Sequence, residues 1–434
     1  MSSPRNAFCI IAVGASLLSS ASASNHRPTS NDASLTYVNI LYNFQGGSDG
    51  EDPFSALTLD PAGNLYGTTQ RGGISRTYGG TVFRISPNGN SGWDETVLHV
   101  FQGKPDGQQP FCNIAIDAHG NLYGTTPVGG PNQDGVVFQL IPKGDGTYLF
   151  RTLYAFTGGT DGAGPYRGVI IDKAGNLYGT TNFDGANSYG TVFKLTRQPG
   201  GTFAFSVIHN FGGPGDGISP YALIFDAHGN IYGATDEGGL YNRGVVFELA
   251  RDQGWSETIL YSFTGELDGG TPNAAVTLGP DGNLYGTTLQ GGNITTCGYS
   301  VGCGTVYELT HSSNSGWTEK ILFRFSGGIY GQFPLSQIAF DSFGNLYGTA
   351  SEGGNLSCGN GNGCGIVFQM TPSGEDWTYN QLYSFSGGSL DGASPNAGVT
   401  IDNANNLYGT TTLGGTYGDG TVYEIPASQI NAGH

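Results

Sequence analysis

Gly63-Asn64-Leu65-Tyr66-Gly67-Thr68-Thr69 returns almost unchanged along the whole chain, with later copies beginning at Gly120, Gly175, Gly229, Gly282, Gly344 and Asn405. Seven copies 53 to 62 residues apart are a fixed long period, and such a period is settled before any local reading. A unit of this size without helical patterning cannot bury its own apolar faces. It must stack on its neighbours, and seven such units point to a closed ring.

One clean unit runs from Ser219 to Gly265. Pro220-Tyr221-Ala222-Leu223-Ile224-Phe225 is a short apolar run after Pro, which suits a buried strand. Asp226 to Asn230 reads as a hairpin turn, because Asp bonds the backbone two residues on and Gly-Asn tolerates positive φ. Asn230 to Thr235 and Gly244 to Leu249 are the second and third strands. Trp255 to Phe263 alternates polar and apolar residues, as an exposed outer strand does. Four antiparallel strands joined by hairpins make one propeller blade.

The last unit stops after its third strand, Val422-Tyr423-Glu424-Ile425. Its missing partner stands at the other end of the chain, where Leu35 to Phe44 carries the Leu-Tyr-x-Phe pattern of the outer strand. The expected fold is therefore all-β: a seven-bladed β-propeller over residues 34–426, closed by its N-terminal strand, with a tail at 427–434. Closure removes the open edge that a linear array would leave.

Residues 1–23 read as a secretory signal, with Arg5, an apolar stretch from Phe8 to Leu18, and Ala21-Ser22-Ala23 as cleavage site. Residues 24–33 read as a flexible N-terminus. The apolar run is too short to span a bilayer, so a secreted or periplasmic protein without a membrane span is expected. With 76 Gly but 12% aromatic residues in register, the Gly is turn chemistry rather than disorder. The formal net charge of −18 excludes a nucleic-acid partner, which requires clustered Lys and Arg.

The pattern Leu-Tyr-x-Phe-x-Gly-Gly, then Asp-Gly, then Asp-x-x-Gly-Asn-Leu-Tyr-Gly-Thr-Thr and Gly-Thr-Val-Phe resembles the GloVer tandem repeat of exported bacterial proteins. The resemblance covers about residues 35–426 and implies surface export, but it carries no activity or catalytic residues across. The chain departs from the pattern at Gly279, which replaces the turn Asp, and at Tyr330, which interrupts an Asp-Gly loop.

Five Cys remain after signal removal. Cys297 with Cys303 and Cys358 with Cys364 sit in equivalent loops of blades five and six. In an exported protein this spacing reads as two local disulfides, with a zinc site joining the loops as the alternative. Cys112 reads as a buried thiol. Trp93, Trp255, Trp317 and Trp377 open outer strands, where each serves as a plug between blades or as a binding surface. His99 and His209 replace the Tyr of Leu-Tyr-x-Phe and read as outer-strand packing. The Asp-Gly loops at Asp49, Asp106, Asp161, Asp216, Asp268 and Asp391 read as turn chemistry. No cofactor is expected; Ca²⁺ is the one ion these aspartates could hold, without a clear motif to support it.

Function is sought where the repeats differ. Asp184, Asp236, Glu237 and Glu352 follow the second strands, and Tyr166, Arg167 and Tyr221 sit near the start of inner strands. All are expected on one rim. Carboxylates, an Arg and aromatic rings suit a carbohydrate site; the bland alternative is solvated loop charge. Two functions stand: a module that binds an extracellular polysaccharide or a cell-surface partner, and a polysaccharide hydrolase or lyase. In the second, Asp184, Asp236 and Glu237 are the acid and base candidates, with Tyr166, Arg167, Tyr221 and Glu352 binding the ligand. Only one of Asp236 and Glu237 can face the site, because adjacent strand residues point to opposite faces.

Overall fold

Each copy of the motif builds the same hairpin for the same reasons. In the first, Asp60 caps the turn: its carboxylate accepts the backbone N–H of Ala62 and Asn64, the Asn64 side chain and the Tyr66 hydroxyl. The same set recurs around Asp117, Asp172, Asp341 and Asp402. Where Gly279 replaces the turn Asp, Asp281 takes over the Tyr285 hydroxyl at 2.6 Å. Leu of the motif enters the core; Leu65, Leu177, Leu284, Leu346 and Leu407 are fully buried.

The Gly of Leu-Tyr-Gly-Thr has a packing cause. The aromatic ring of the third strand lies against it, so a Cβ on Gly67, Gly124, Gly179, Gly233 or Gly348 would meet a Phe ring at 2.5 to 2.6 Å. At Gly286 and Gly409 the ring is Tyr307 or Tyr423. The first Thr reaches the next blade: Thr68, Thr180, Thr287, Thr349 and Thr410 donate to carbonyls of Cys112, Tyr221, Ser336, Ala397 and Ser55. The second Thr pairs with the Thr of Gly-Thr-Val-Phe, at 2.9 Å for Thr69 and Thr81 and again at three further blades. These buried hydroxyls are satisfied, which makes the motif a self-consistent unit.

The computed structural model describes residues 37–430, apart from 74–78, 90–91, 213–214, 295–296, 298–300 and 313–315. The expected signal peptide and the 24–33 segment lie outside the described residues. Seven four-stranded antiparallel sheets form the blades. The inner strands are Thr58–Leu59, Ala115–Ile116, Val169–Ile171, Gly217–Phe225, Thr277–Leu278, Ala339–Phe340 and Thr400–Ile401. Six are two or three residues long, and that of blade four has nine. The outer strand of blade seven is Asn39–Asn43, paired antiparallel with Thr421–Ile425 through Asn39–Glu424, Ile40–Tyr423, Tyr42–Val422 and Asn43–Thr421. The ring is closed by the N-terminal strand. A helical turn, Ala427–Ile430, follows, and its Ile430 is buried against Val38 and Ile40.

The core is a series of clusters between neighbouring blades. Trp93 meets Tyr408 of blade seven, Trp255 meets Tyr178 of blade three, and Trp377 meets Tyr285 of blade five, at centroid distances of 6.1, 5.6 and 6.0 Å. The tryptophans are plugs between blades. The Asp-Gly aspartates are clamps: Asp49, Asp161, Asp268 and Asp391 each accept the hydroxyl of the outer-strand Tyr that precedes them. Cys297 is bonded to Cys303 and Cys358 to Cys364, with Cα separations of 5.5 and 5.7 Å. Cys112 is free and buried, its thiol pushed up to about 11 by burial.

Candidate functional site

The residues that follow the repeated Pro of each blade meet on the ring axis. Pro53, Pro110, Pro165, Pro220, Pro272, Pro334 and Pro395 each precede a short segment, and those segments line one narrow cavity of about 60 Å³. Beneath it lies a larger space of about 240 Å³, bounded by Arg167, Gln337, Asn113 and the inner strands of blades three and four. The mouth is not seven-fold symmetric. Phe54 and Phe111 of blades one and two are edge to face at 5.5 Å, and Tyr166 of blade three continues the arc at 5.7 Å from Phe111. Across from them the same position carries Asn273 and Asn396.

Between the two arcs sits the only strongly charged group of the lining. Arg167 lies over the Tyr221 ring, its guanidinium carbon 4.0 Å from the centroid, a cation–π contact. Its Nε is buried without a hydrogen-bond partner within the protein. Tyr221 is 2% exposed, and Asp236 stands beside it, accepting from Asn273 Nδ2 at 3.1 Å. Burial pushes the Asp236 carboxyl up to about 7, against the pull of Arg167. Asp236 is not fully enclosed, and through Asn273, Arg167 and Tyr221 it is tied to residues that line the cavity.

One deleted residue creates this cluster. Seven positions separate Pro165 from Asp172, but six separate Pro220 from Asp226. Tyr221 therefore takes the place held by Ser55, Cys112, Ser336 and Ala397, as the hydrogen bond from Thr180 to its carbonyl shows. The same shortening lets the inner strand pair along its length, from Gly217 with Gly238 to Phe225 with Ile231. Arg167 occupies the equivalent position in blade three. Two small-residue positions thus became large and polar, side by side.

The structure brings together Arg167, Tyr221 and Asp236, with Tyr166 on the adjoining aromatic arc. It does not bring Glu237, Asp184 or Glu352 to them. Glu237 is exposed, the outward neighbour of Asp236. Asp184 holds a turn at φ 58°, its carbonyl accepting from Gly190 N–H. Glu352 accepts from Gln332 Nε2 at 2.6 Å within blade six. Sequence reasoning overlooked Phe54, Phe111, Asn273, Asn396 and Asn182; the signal for the first four was their fixed place after the repeated Pro. Asn182 is equivalent to Asp236 and is 2% exposed.

A family model described as the Gloeobacter/Verrucomicrobia repeat matches residues 29–213 and 166–423. The chain belongs to this family. No relative was found among curated proteins. Among solved structures, hydrazine synthase of Kuenenia stuttgartiensis is 14% identical at a TM-score of 0.54, over 86% of this chain and 96% of that one. The extracellular domain of a one-component system from B. thetaiotaomicron is 14% identical at 0.53, over 91% of this chain and 43% of that one. A gluconolactonase from Xanthomonas campestris is 14% identical at 0.40, over 68% of this repeat protein and 82% of that chain. At these identities the likeness is one of fold. Among the described residues, no helix is long and apolar enough to cross a membrane, and the two disulfides are consistent with export.

The seams between blades carry further perturbed carboxyls. Burial, then the charge of Asp49, pushes Glu95 up to about 7; burial, then Asp268, does the same to Glu319. A carboxyl raised on folding favours the fold below its unfolded value, and that gain is lost as pH rises through about 7. The turn aspartates work oppositely. Burial raises Asp60, Asp117 and Asp172, but hydrogen bonds from Asn64, Asn121 and Asn176 outweigh it and leave them lowered. Their contribution is lost as pH falls below the ordinary carboxylate range. Thermal melts should therefore peak between about pH 4 and 6 and fall toward pH 8. Glu95→Gln with Glu319→Gln should flatten the alkaline side, and an unchanged slope would refute these seams as its origin.

Proposed function

We propose that this propeller is an exported, non-catalytic module that binds an extracellular carbohydrate at the tunnel mouth, one ligand per chain. The observation that carries this reading is the broken symmetry of the mouth: rings on blades one to three, amides on blades five and seven, and Arg167 with Tyr221 and Asp236 between them. A sugar offers one apolar face and many hydroxyls, so it suits a site with rings on one side and amides on the other. The Arg167 Nε, lacking a protein partner, supports a ligand bearing a carboxylate or hydroxyl at its end.

The second reading is a polysaccharide hydrolase or lyase, and one observation favours it: Asp236, at about 7, has the proton affinity of a general acid. Hydrolysis commonly needs a second carboxylate about 5 to 9.5 Å away across the bond. Glu237 and Asp184 do not join Asp236 at the mouth, which is why the binding module is preferred.

The test is calorimetry with a panel of neutral and uronate-containing oligosaccharides, run beside assays for reducing ends and for unsaturated uronate. One site per chain is expected. Phe111→Ala and Arg167→Met should each weaken binding at least about 10-fold, while Glu352→Gln leaves it unchanged. Turnover of any polymer that Asp236→Asn abolishes would replace the module by the enzyme. Several equal sites per chain would move binding to the repeated loops.

A further inference from the structure

The seam between blades three and four holds His209, Asp216 and Glu257, each with one ligand-type atom within 4.8 Å of the others. Among the described residues it is the one place where three such side chains converge. The other seams show what those positions ordinarily do. His209 stands where Tyr42, Tyr154, Tyr261 and Tyr383 donate to their Asp-Gly aspartates. Glu257 stands where Phe150 stacks on His99 at 4.1 Å, and Phe205 on Tyr154 at 3.9 Å. The other seam with a His, that of His99, has the Phe150 ring opposite, and the seams of Glu95 and Glu319 have a Tyr. Only this one joins an imidazole to two carboxyls.

Its hydrogen bonding is also unlike theirs. In the seam of blades one and two, His99 Nε2 bonds Asp106 at 2.9 Å. His209 Nε2 is buried and makes no hydrogen bond, although Glu257 Oε2 lies 3.5 Å away, and Glu257 Oε1 is buried without a partner as well. Asp216 accepts Gly212 N–H at 2.8 Å on one carboxylate oxygen and Gly217 N–H on the other, which fixes the carboxylate toward the seam. Two carboxyls facing each other in a half-buried seam repel unless a proton or a cation lies between them.

We propose that this seam is a zinc site, with His209 Nε2, Asp216 and Glu257 as protein ligands and water in the fourth position. An imidazole nitrogen with two carboxylate oxygens is a zinc donor set, and Ca²⁺ prefers an all-oxygen shell. Tetrahedral bonds of about 2.1 Å put ligand atoms about 3.4 Å apart, close to the His209–Glu257 separation. Asp216 immediately precedes Gly217, the first residue of the strand that carries Tyr221. The ion would brace that strand from its outer end.

The repeat supplies its own controls. His209→Tyr restores the side chain of four sister seams, and Glu257→Phe restores that of two, so both variants should fold. Untagged full-length protein, cleared of metal by chelation, is titrated with ZnCl2 by calorimetry and melted with and without zinc. Wild type should bind one zinc tightly, above the weak background of exposed His119 and His228. Each variant should lose at least about 30-fold in affinity and all of the zinc-dependent rise in melting temperature, while melting normally in chelator. CaCl2 should give no such site. Absence of a saturable zinc site in wild type, equal binding by the variants, or preference for Ca²⁺ would each overturn the proposal.

Discussion

Removal of residues 24–44 should abolish cooperative melting, leaving a protein that aggregates at temperatures where the full chain is folded. Asn39–Asn43 is the outer strand of blade seven, and without it Thr421–Ile425 becomes an unpaired edge. The deletion also removes Phe44, which is fully buried against Phe83 at 5.1 Å and Leu57, the contact that seals blade seven to blade one. Phe44→Ala alone should cost about 3–5 kcal/mol, a large part of the 5–15 kcal/mol that holds an ordinary domain folded. Adding the lost strand pairs takes the loss past that margin. The measurement is calorimetric melting with light scattering. A truncated chain that melts like the full-length one would show that the ring closes elsewhere.

This closure was legible from the sequence because it rests on a count: the last unit lacks the strand that the N-terminus supplies. The blades were legible for a related reason. Where the motif is complete, Asp, Asn, Tyr, Gly and both Thr answer to contacts inside the same hairpin or the adjacent blade, so the motif carries its own structural explanation. The rim was harder. Sequence fixes how far along a strand a residue stands, but whether it faces the axis or the solvent depends on one step of the pleat. Asp236 and Glu237 differ by that step, and only Asp236 points inward. Asp184 lies two positions further along its loop than Asn182, the true counterpart of Asp236, and so leaves the axis. Glu352 shares the outward position of Glu237.

The missing residue between Pro220 and Asp226 was legible in principle. Its effect was not, because a deletion in a two-residue strand can be absorbed by a bulge or by re-pairing. Here blade four re-pairs, and Tyr221 moves into a slot built for Ser or Ala. The aromatic arc was hidden differently. Phe54, Phe111 and Tyr166 lie more than fifty residues apart and meet only because the ring brings equivalent positions to one axis.

Gly179→Ala should lower stability by about 2–3 kcal/mol, although it adds a single methyl group to a strand. The new Cβ would meet Phe193 Cζ at 2.6 Å and the Gly168 carbonyl oxygen at 2.9 Å. The ring cannot retreat, since Phe193 is fully buried and packed edge to face on Phe156 at 5.2 Å. Nor can the carbonyl move freely, since Val169 pairs with Gly179 across the inner ladder. Gly47→Ala is the control, at an exposed glycine with nothing within 4 Å of the added atom, and it should be neutral. If the clash with the ring is the cause, Phe193→Leu should suffer less from Gly179→Ala than wild type does, giving a coupling of about 1 kcal/mol in a double-mutant cycle. Additive losses would place the cost in the backbone instead. Gly179 would then be explained by the close approach of the Gly168 carbonyl at the head of the inner strand, and not by the ring above it.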